Sequence, residues 1–316
     1  MSQVTIAEPV SYNSLENRRI VQDSEAVKGH AAVAGVFTGK VQALVATVKR
    51  WRPSVVLASA YLVVVLLMVA VPQLFTKFDP VENDLLSVNQ APSAAHLAGT
   101  DYLGRDLFSR IVYGARYSVG IGLAVTIFAL VFAVILGTLA GASRSSFMDN
   151  VVMRVIDVLS SFPSILLALV IVGLTGSGIQ NLILALGIGS IPGLTRLIRA
   201  ETKKIILSDY VQQSKTFGLS RFTILVRHVL PNSLGVVPYM VTMSVGEAII
   251  GVSGLSFLGV GPQPPTPEWG TIIADSRNYL GVAWWSGIIP GVVLVLTVIS
   301  FTVIGQAWQK SFEGRD

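Results

Sequence analysis

The sequence predicts an all-α membrane protein with six transmembrane helices. Three observations carry that prediction. The chain is 52% hydrophobic and 13% charged, with a mean hydropathy of +0.66, whereas a soluble domain carries about 25% charged residues. Its apolar runs reach the ~20 residues that a helix needs to cross a bilayer. The basic residues gather at the ends of these runs on one side, most densely between Arg196 and Pro231, where seven Lys or Arg stand against two acidic residues. The positive-inside rule places that side, and both termini, in the cytoplasm.

Residues 1–50 are polar with mixed charge and read as a cytoplasmic tail, in which Ala31–Val48 is a candidate interfacial amphipathic helix. They lack the short basic start and apolar core of a secretory signal. Lys49, Arg50, Trp51 and Arg52 mark the membrane edge, and the membrane domain covers 51–310. Span one is Ser54–Phe75. In the external segment 76–116, Leu103, Leu107, Phe108, Ile111, Val112 and Ala115 recur at helical spacing. They predict an interfacial helix with Asp106 and Arg110 on its other face. Span two is Tyr117–Ala142, and span three is Val151–Leu174, with Arg154 and Asp157 spaced to pair near its cytoplasmic end. The charge-free run Val158–Thr195 is too long for one span, and Thr175–Gly178 breaks it with a tight turn. Span four re-enters the cytoplasm near Arg196. Span five is Asn232–Val252, an external loop covers 254–283, span six is Trp284–Trp308, and 311–316 form a cytoplasmic tail.

The basic stretch 196–231 has its own punctuation. Ser208 or Asp209 suits the N-cap of a short helix, Gly218 suits the left-handed position after its end, and Ser220 suits the cap of the next helix, which runs to Leu230 and Pro231. A helix of about ten residues is about 15 Å long, enough to seat in a groove on a soluble partner.

Several function classes find no support. There is no cysteine, and His30, His96 and His228 have no metal-ligand spacing. Gly35, Gly39, Lys40 and Val41 fall short of a phosphate-binding loop in spacing and in the last residue. No nucleophile, base or metal set marks an enzyme, and a net charge of +5 gathered at span ends needs no nucleic acid to explain it. An ion-coupled secondary transporter is the competing class. Such proteins carry intramembrane ionisable relays or repeated broken helices; here one carboxylate, Glu247, lies deep in a span and no repeat is evident. Glu247 either lines a solute path, meeting a cation, or makes a structural or inter-subunit bond. Ser160 and Ser161 are further small polar residues that either line the path or bond across helices. Gln263, Pro264, Pro265 and Trp269 mark either a rigid external scoop or receptor-facing lid or a purely structural turn.

Within this frame the chain resembles the permeases of dipeptide, oligopeptide and nickel ABC importers. The stretch from His96 through Asp101, Arg105, Asp106 and Arg110 to Arg116 is similar to the family's segment before span two. Met148, Asp149, Met153, Arg154, Asp157, Phe162 and Pro163 follow its third span. Leu255–Gly259 with Gln263–Gly270 resembles its external loop, and Trp284, Trp285, Pro290 and Gly291 resemble the opening of its last span. In the family's coupling motif, Glu-Ala-Ala is followed by Gly and then Ile-x-Leu-Pro. Gly218, Leu230 and Pro231 match, while Gln212, Gln213 and Ser214 replace Glu-Ala-Ala and His228 replaces Ile. Gly305 and Gln306 depart from the Gly-Asp-Gly pattern expected near the end.

The resemblance implies a type I ABC-importer transmembrane domain of the dipeptide-permease C type, non-catalytic itself and importing di- or oligopeptides, with nickel or a metal chelate as the alternative cargo. It implies as partners a homologous second permease, an extracytoplasmic substrate-binding protein and two ATPases that hold ATP and magnesium. Membrane lipid surrounds the assembly in the cytoplasmic (inner) membrane. On this resemblance Tyr210, Val211, Gln212, Gln213, Ser214, Phe217, Gly218, Leu230 and Pro231 form the ATPase-coupling element.

Overall fold

A computed structural model describes residues 53–143 and 145–312. The N-terminal tail with Ala31–Val48, the Lys49–Arg52 membrane edge and residues 313–316 lie outside the described residues. The chain divides after Val56 into two units, and the packing below belongs to the second, Leu57–Asp316.

Helix α1 (Pro53–Ala70) is charge-free. The Tyr61 hydroxyl donates to the Val293 carbonyl at 2.9 Å and ties α1 to the last helix. A short 3-10 turn, Pro72–Leu74, follows.

Helix α2 runs unbroken from Leu107 to Ala142. Its 36 residues make about 54 Å, well beyond the ~30 Å hydrocarbon core. The expected interfacial helix is therefore not a separate element. No proline interrupts 107–142, so the amphipathic stretch forms the first turns of the second span. Its polar face is also not solvated: Arg110 is 1% exposed and Asp106 6%. Residues 76–106 fold over that face, through the Pro80 carbonyl, Asp101 and a Thr76–Ser109 hydroxyl pair.

Helices α3 (Ser146–Ser160) and α4 (Ser164–Thr175) meet at 83°. The single third span expected from the sequence is broken here because Pro163 cannot donate to the Leu159 carbonyl and its ring blocks a straight continuation. Asn181 donates to the Thr175 and Gly176 carbonyls at 2.9 Å and closes the next turn.

Helix α5 (Ile179–Ile206) absorbs the first part of the basic stretch. It packs parallel to α2 at close range: a Cβ on Gly137 would lie 2.8 Å from Ile198, and one on Gly141 2.7 Å from Thr202. Because α5 stays helical to Ile206, Arg196, Arg199 and Lys203 share one face, and that face meets α3. Asp157 pairs with Arg196 at 2.9 Å rather than with Arg154. Asp149 takes Arg199 in a bidentate pair at 2.6 and 2.7 Å and Lys203 at 2.7 Å.

Helix α6 (Asp209–Thr216) is followed by a nearly continuous helical path from Arg221 to Phe257: α7 (Arg221–Ile224), a π segment (Leu225–Val229), α8 (Leu230–Ser233), a 3-10 turn (Leu234–Val236) and α9 (Val237–Phe257). The two irregular segments precede Pro231 and Pro238, each of which removes a backbone donor from the α-helical ladder. Helix α10 (Trp269–Ser276) and helix α11 (Trp285–Phe312) complete the bundle.

Among the described residues five helical stretches are long and apolar enough to cross a membrane, and the bent α3–α4 pair makes a sixth. No strand forms among them beyond one isolated bridge, Thr100 to Asp106.

Candidate functional site

Three places on the bundle carry polar or exposed features beyond packing. The first is α6. Ser208 stands at its N-cap in extended conformation, and Asp209 and Lys215 complement the helix dipole at the two ends. Phe217 ends the helix and Gly218 follows at φ +78°. The Gly218 N–H donates to the Lys215 carbonyl at 3.0 Å and the Leu219 N–H to that of Ser214 at 3.3 Å. This is a Schellman motif, and it needs the left-handed glycine. Ser220 then caps α7, accepting from the Thr223 N–H at 3.2 Å.

Val211 is buried against Ile224 and Val229, which anchors α6 to the bundle. The opposite side offers Tyr210, 43% exposed, and Phe217, 84% exposed. Gln213 is exposed, and Ser214 returns its hydroxyl to the Tyr210 carbonyl at 2.8 Å. Gln212 is committed within the chain: its amide donates to the Ile206 carbonyl at 2.8 Å and accepts from Lys215 at 3.1 Å. Leu230 and Pro231 sit at the π-to-α junction, outside α6.

The second place is a groove of about 450 Å³ between α4, α5 and α9. Ser164, Gly189, Ser190, Gly193, Ser244 and Glu247 line it. Ser160 and Ser161 do not; they stand at the α3–α4 bend and donate to the Ile156 and Asp157 carbonyls at 2.9 Å.

The third place lies at the opposite end of the bundle from α6. Asp101 accepts from Arg105 Nε at 2.7 Å and lies 3.5 Å from Arg110 Nε. Asp275 of α10 stands 4.0 Å from Arg105, and Tyr102 stacks on Tyr279 with centroids 5.0 Å apart. Asp106 caps α2 through the Ser109 N–H at 2.8 Å and meets His96 Nδ1 at 2.9 Å. Burial pushes the Asp275 carboxyl above its usual pKa range, and it does the same to Tyr102.

Trp269, expected on an external scoop, is instead wholly buried; its indole N–H donates to the Ile111 carbonyl at 2.9 Å. Glu268 places it there. This buried carboxylate caps α10 through the Gly270 and Thr271 N–H groups at 2.8 and 2.9 Å and accepts from the Ser118 hydroxyl at 3.1 Å. Gln263, Pro264 and Pro265 remain exposed and border a cleft of about 460 Å³ with Asp275 and Arg277, or in Pro265's case adjoin it. Sequence reasoning missed Glu268 and the Asp101–Arg105–Arg110–Asp275 cluster. The signal for Glu268 was a carboxylate directly ahead of Trp269 at a helix start; Asp101, Arg105 and Arg110 stood together in the stretch before span two, and nothing in the sequence pointed to Asp275 as their partner.

The family described as binding-protein-dependent transport system inner membrane components matches residues 133–315, which include α6, the groove and α11. The chain belongs to that family. Over 265 residues the permease is 37% identical to the glutathione transport system permease protein GsiD of Pectobacterium atrosepticum, covering 83% of this chain and 87% of the relative. It is 38% identical over 224 residues to the dipeptide transport system permease protein DppC of Alkalihalophilus pseudofirmus, covering 71% and 73%. In fold it is similar to a chain of the MetNI methionine ABC transporter in an inward-facing conformation, with a TM-score of 0.54, 18% identity, and 65% and 96% of the two chains covered. The permease is thus the membrane-spanning component of an ABC importer with a type I transmembrane fold.

Proposed function

We propose that the permease imports short peptides and works as one half of a pair. A homologous permease completes the solute path, an extracytoplasmic substrate-binding protein delivers the solute, and two ATPases carrying ATP and magnesium dock beneath. The α6 end faces the cytoplasm, with both termini on that side, because the basic residues from Arg196 to Arg227 gather there. The names of the glutathione and dipeptide relatives support a peptide as cargo.

The observation that carries the coupling role is α6 itself, a short helix pinned by Val211 and closed by a Schellman turn, with Tyr210 and Phe217 exposed. A push on α6 reaches both walls of the groove. Only Leu207 and Ser208 separate it from α5, and the helical path from Arg221 leads directly into α9. The ion pairs from Asp149 and Asp157 carry α3 along with α5. Closure of the ATPase pair on ATP then shifts a two-state bundle, and the work comes from differential binding rather than covalent chemistry in this chain.

Proteoliposomes holding both permeases and the ATPases, supplied with the receptor, should take up Ala-Ala or glutathione only with ATP. The purified chain alone should neither bind nor hydrolyse ATP. Robust turnover by the contaminant-free chain would refute this division of labour.

A further inference from the structure

Glu247 occupies the middle of α9, ten positions from Val237 and ten from Phe257. Its neighbours Gly246 and Ala248 are buried, while Glu247 is exposed on the groove. Among the described residues it has no hydrogen bond or ion pair, and no basic side chain lines the groove with it. A carboxylate at this depth facing hydrocarbon is strongly disfavoured, so this face of α9 is not a lipid face. Apolar Ile165, Leu194, Leu197 and Met243 form much of the wall, and the polar and open positions beside Glu247 leave room for a small solute. Ser164 and Ser244 add hydroxyls, and a Cβ on Gly193 would meet nothing within 4 Å.

A lone negative charge in a groove without cations calls for a positive group from outside the chain. We infer that Glu247 is the counter-charge for the α-ammonium of the peptide in transit, so that solutes with a free amino terminus are the preferred class. This rests on the peptide-import reading above. One carboxylate with a few hydroxyls holds an ammonium briefly, as a path requires, whereas tight selection is left to the receptor.

The test uses the complete transporter in proteoliposomes with labelled Ala-Ala and labelled glutathione as probes. Glu247→Gln should lower kcat for uptake about tenfold, the equivalent of one charge-assisted hydrogen bond. KM should stay unchanged, because the receptor is not altered. Glu247→Asp should recover most of the rate, which a merely space-filling role would not predict. Gly193→Leu leaves the charge in place and fills the groove, and it should block uptake in an assembled complex.

Wild-type kcat in Glu247→Gln, or wild-type uptake in Gly193→Leu, overturns the inference. Loss of the sister permease from purified Glu247→Gln complexes also overturns it, since the carboxylate would then pair with a cation of that subunit. Failure of the wild-type transporter to take up either probe is a different result: it removes the peptide reading before any variant is compared.

Discussion

Gly218 stands at φ +78°, and a Cβ added there meets nothing within 4 Å. Replacing it therefore tests backbone conformation with no steric contribution from neighbours. An L-residue held in the left-handed region loses about 1–2 kcal/mol, and a β-branched one sits at the upper end. A valine at 218 can bear that strain or escape it by returning to negative φ. Escape breaks the bonds from Gly218 to Lys215 and from Leu219 to Ser214, a net loss of about 0.5–1.5 kcal/mol each. The two routes have similar cost, so Gly218→Val should shift the ratio of docking-competent to escaped conformations about 5–30-fold, leaving the two comparably populated where the glycine chain is almost wholly docking-competent. Gly218→Asn should be far milder, because Asn visits the left-handed region with less penalty. The assay is ATP-driven uptake in proteoliposomes, with ATPase retention on the purified complex and membrane insertion as controls. Val inserted normally but with wild-type retention and uptake, or Asn as damaging as Val, would refute the reasoning.

Docking should depend more on Phe217 than on Gln212, whose amide is already engaged with Ile206 and Lys215. Phe217→Ala should release the ATPase more than Gln212→Ala in co-purification, with little change across a salt series, because no charged side chain stands at the Glu-Ala-Ala positions. Asp101→Ala should destabilise the permease by about 3–5 kcal/mol, since it strips Arg105 and Arg110 of their shared carboxylate in a buried setting; unfolding in detergent measures it. Asp275 has a raised folded pKa, so the folded state holds its proton longer than the unfolded chain does. That contribution to stability is complete below the unfolded value of about 3.9 and fades as pH rises through the folded one. Asp275→Asn should flatten this fall in the unfolding midpoint, and an unchanged pH profile would show that another group sets it.

The features legible in the sequence are those governed by neighbours along the chain. Gly218 and Ser220 punctuate the α6 region where capping chemistry says they should, because a cap needs only the first or last turn of its own helix; Ser208 holds the N-cap position but turns its hydroxyl back to the Ile205 carbonyl. The apolar runs locate the spans for the same reason: lipid acts on each helix separately. Even the bend at Pro163 had its local signal, although the charge-free run Val158–Thr195 hid it.

Tertiary packing decided the fate of the polar residues. Helical spacing shows that Asp106 and Arg110 lie off the apolar face of α2, but it does not say what covers that face, and here residues 76–106 cover it. Asp157 had a cation three positions away in Arg154, yet it pairs with Arg196, since α5 remains helical past the apolar run and brings Arg196, Arg199 and Lys203 against α3. Trp269 read as an external aromatic and became core once Glu268 capped α10 against Ser118 of α2. In each case the partner is a distant segment, up to 158 positions away for the Trp269 bond. Hydropathy records only a residue's preference for water or lipid; a buried ion pair or hydrogen bond satisfies a polar group by a third route that exists only when the chain is folded.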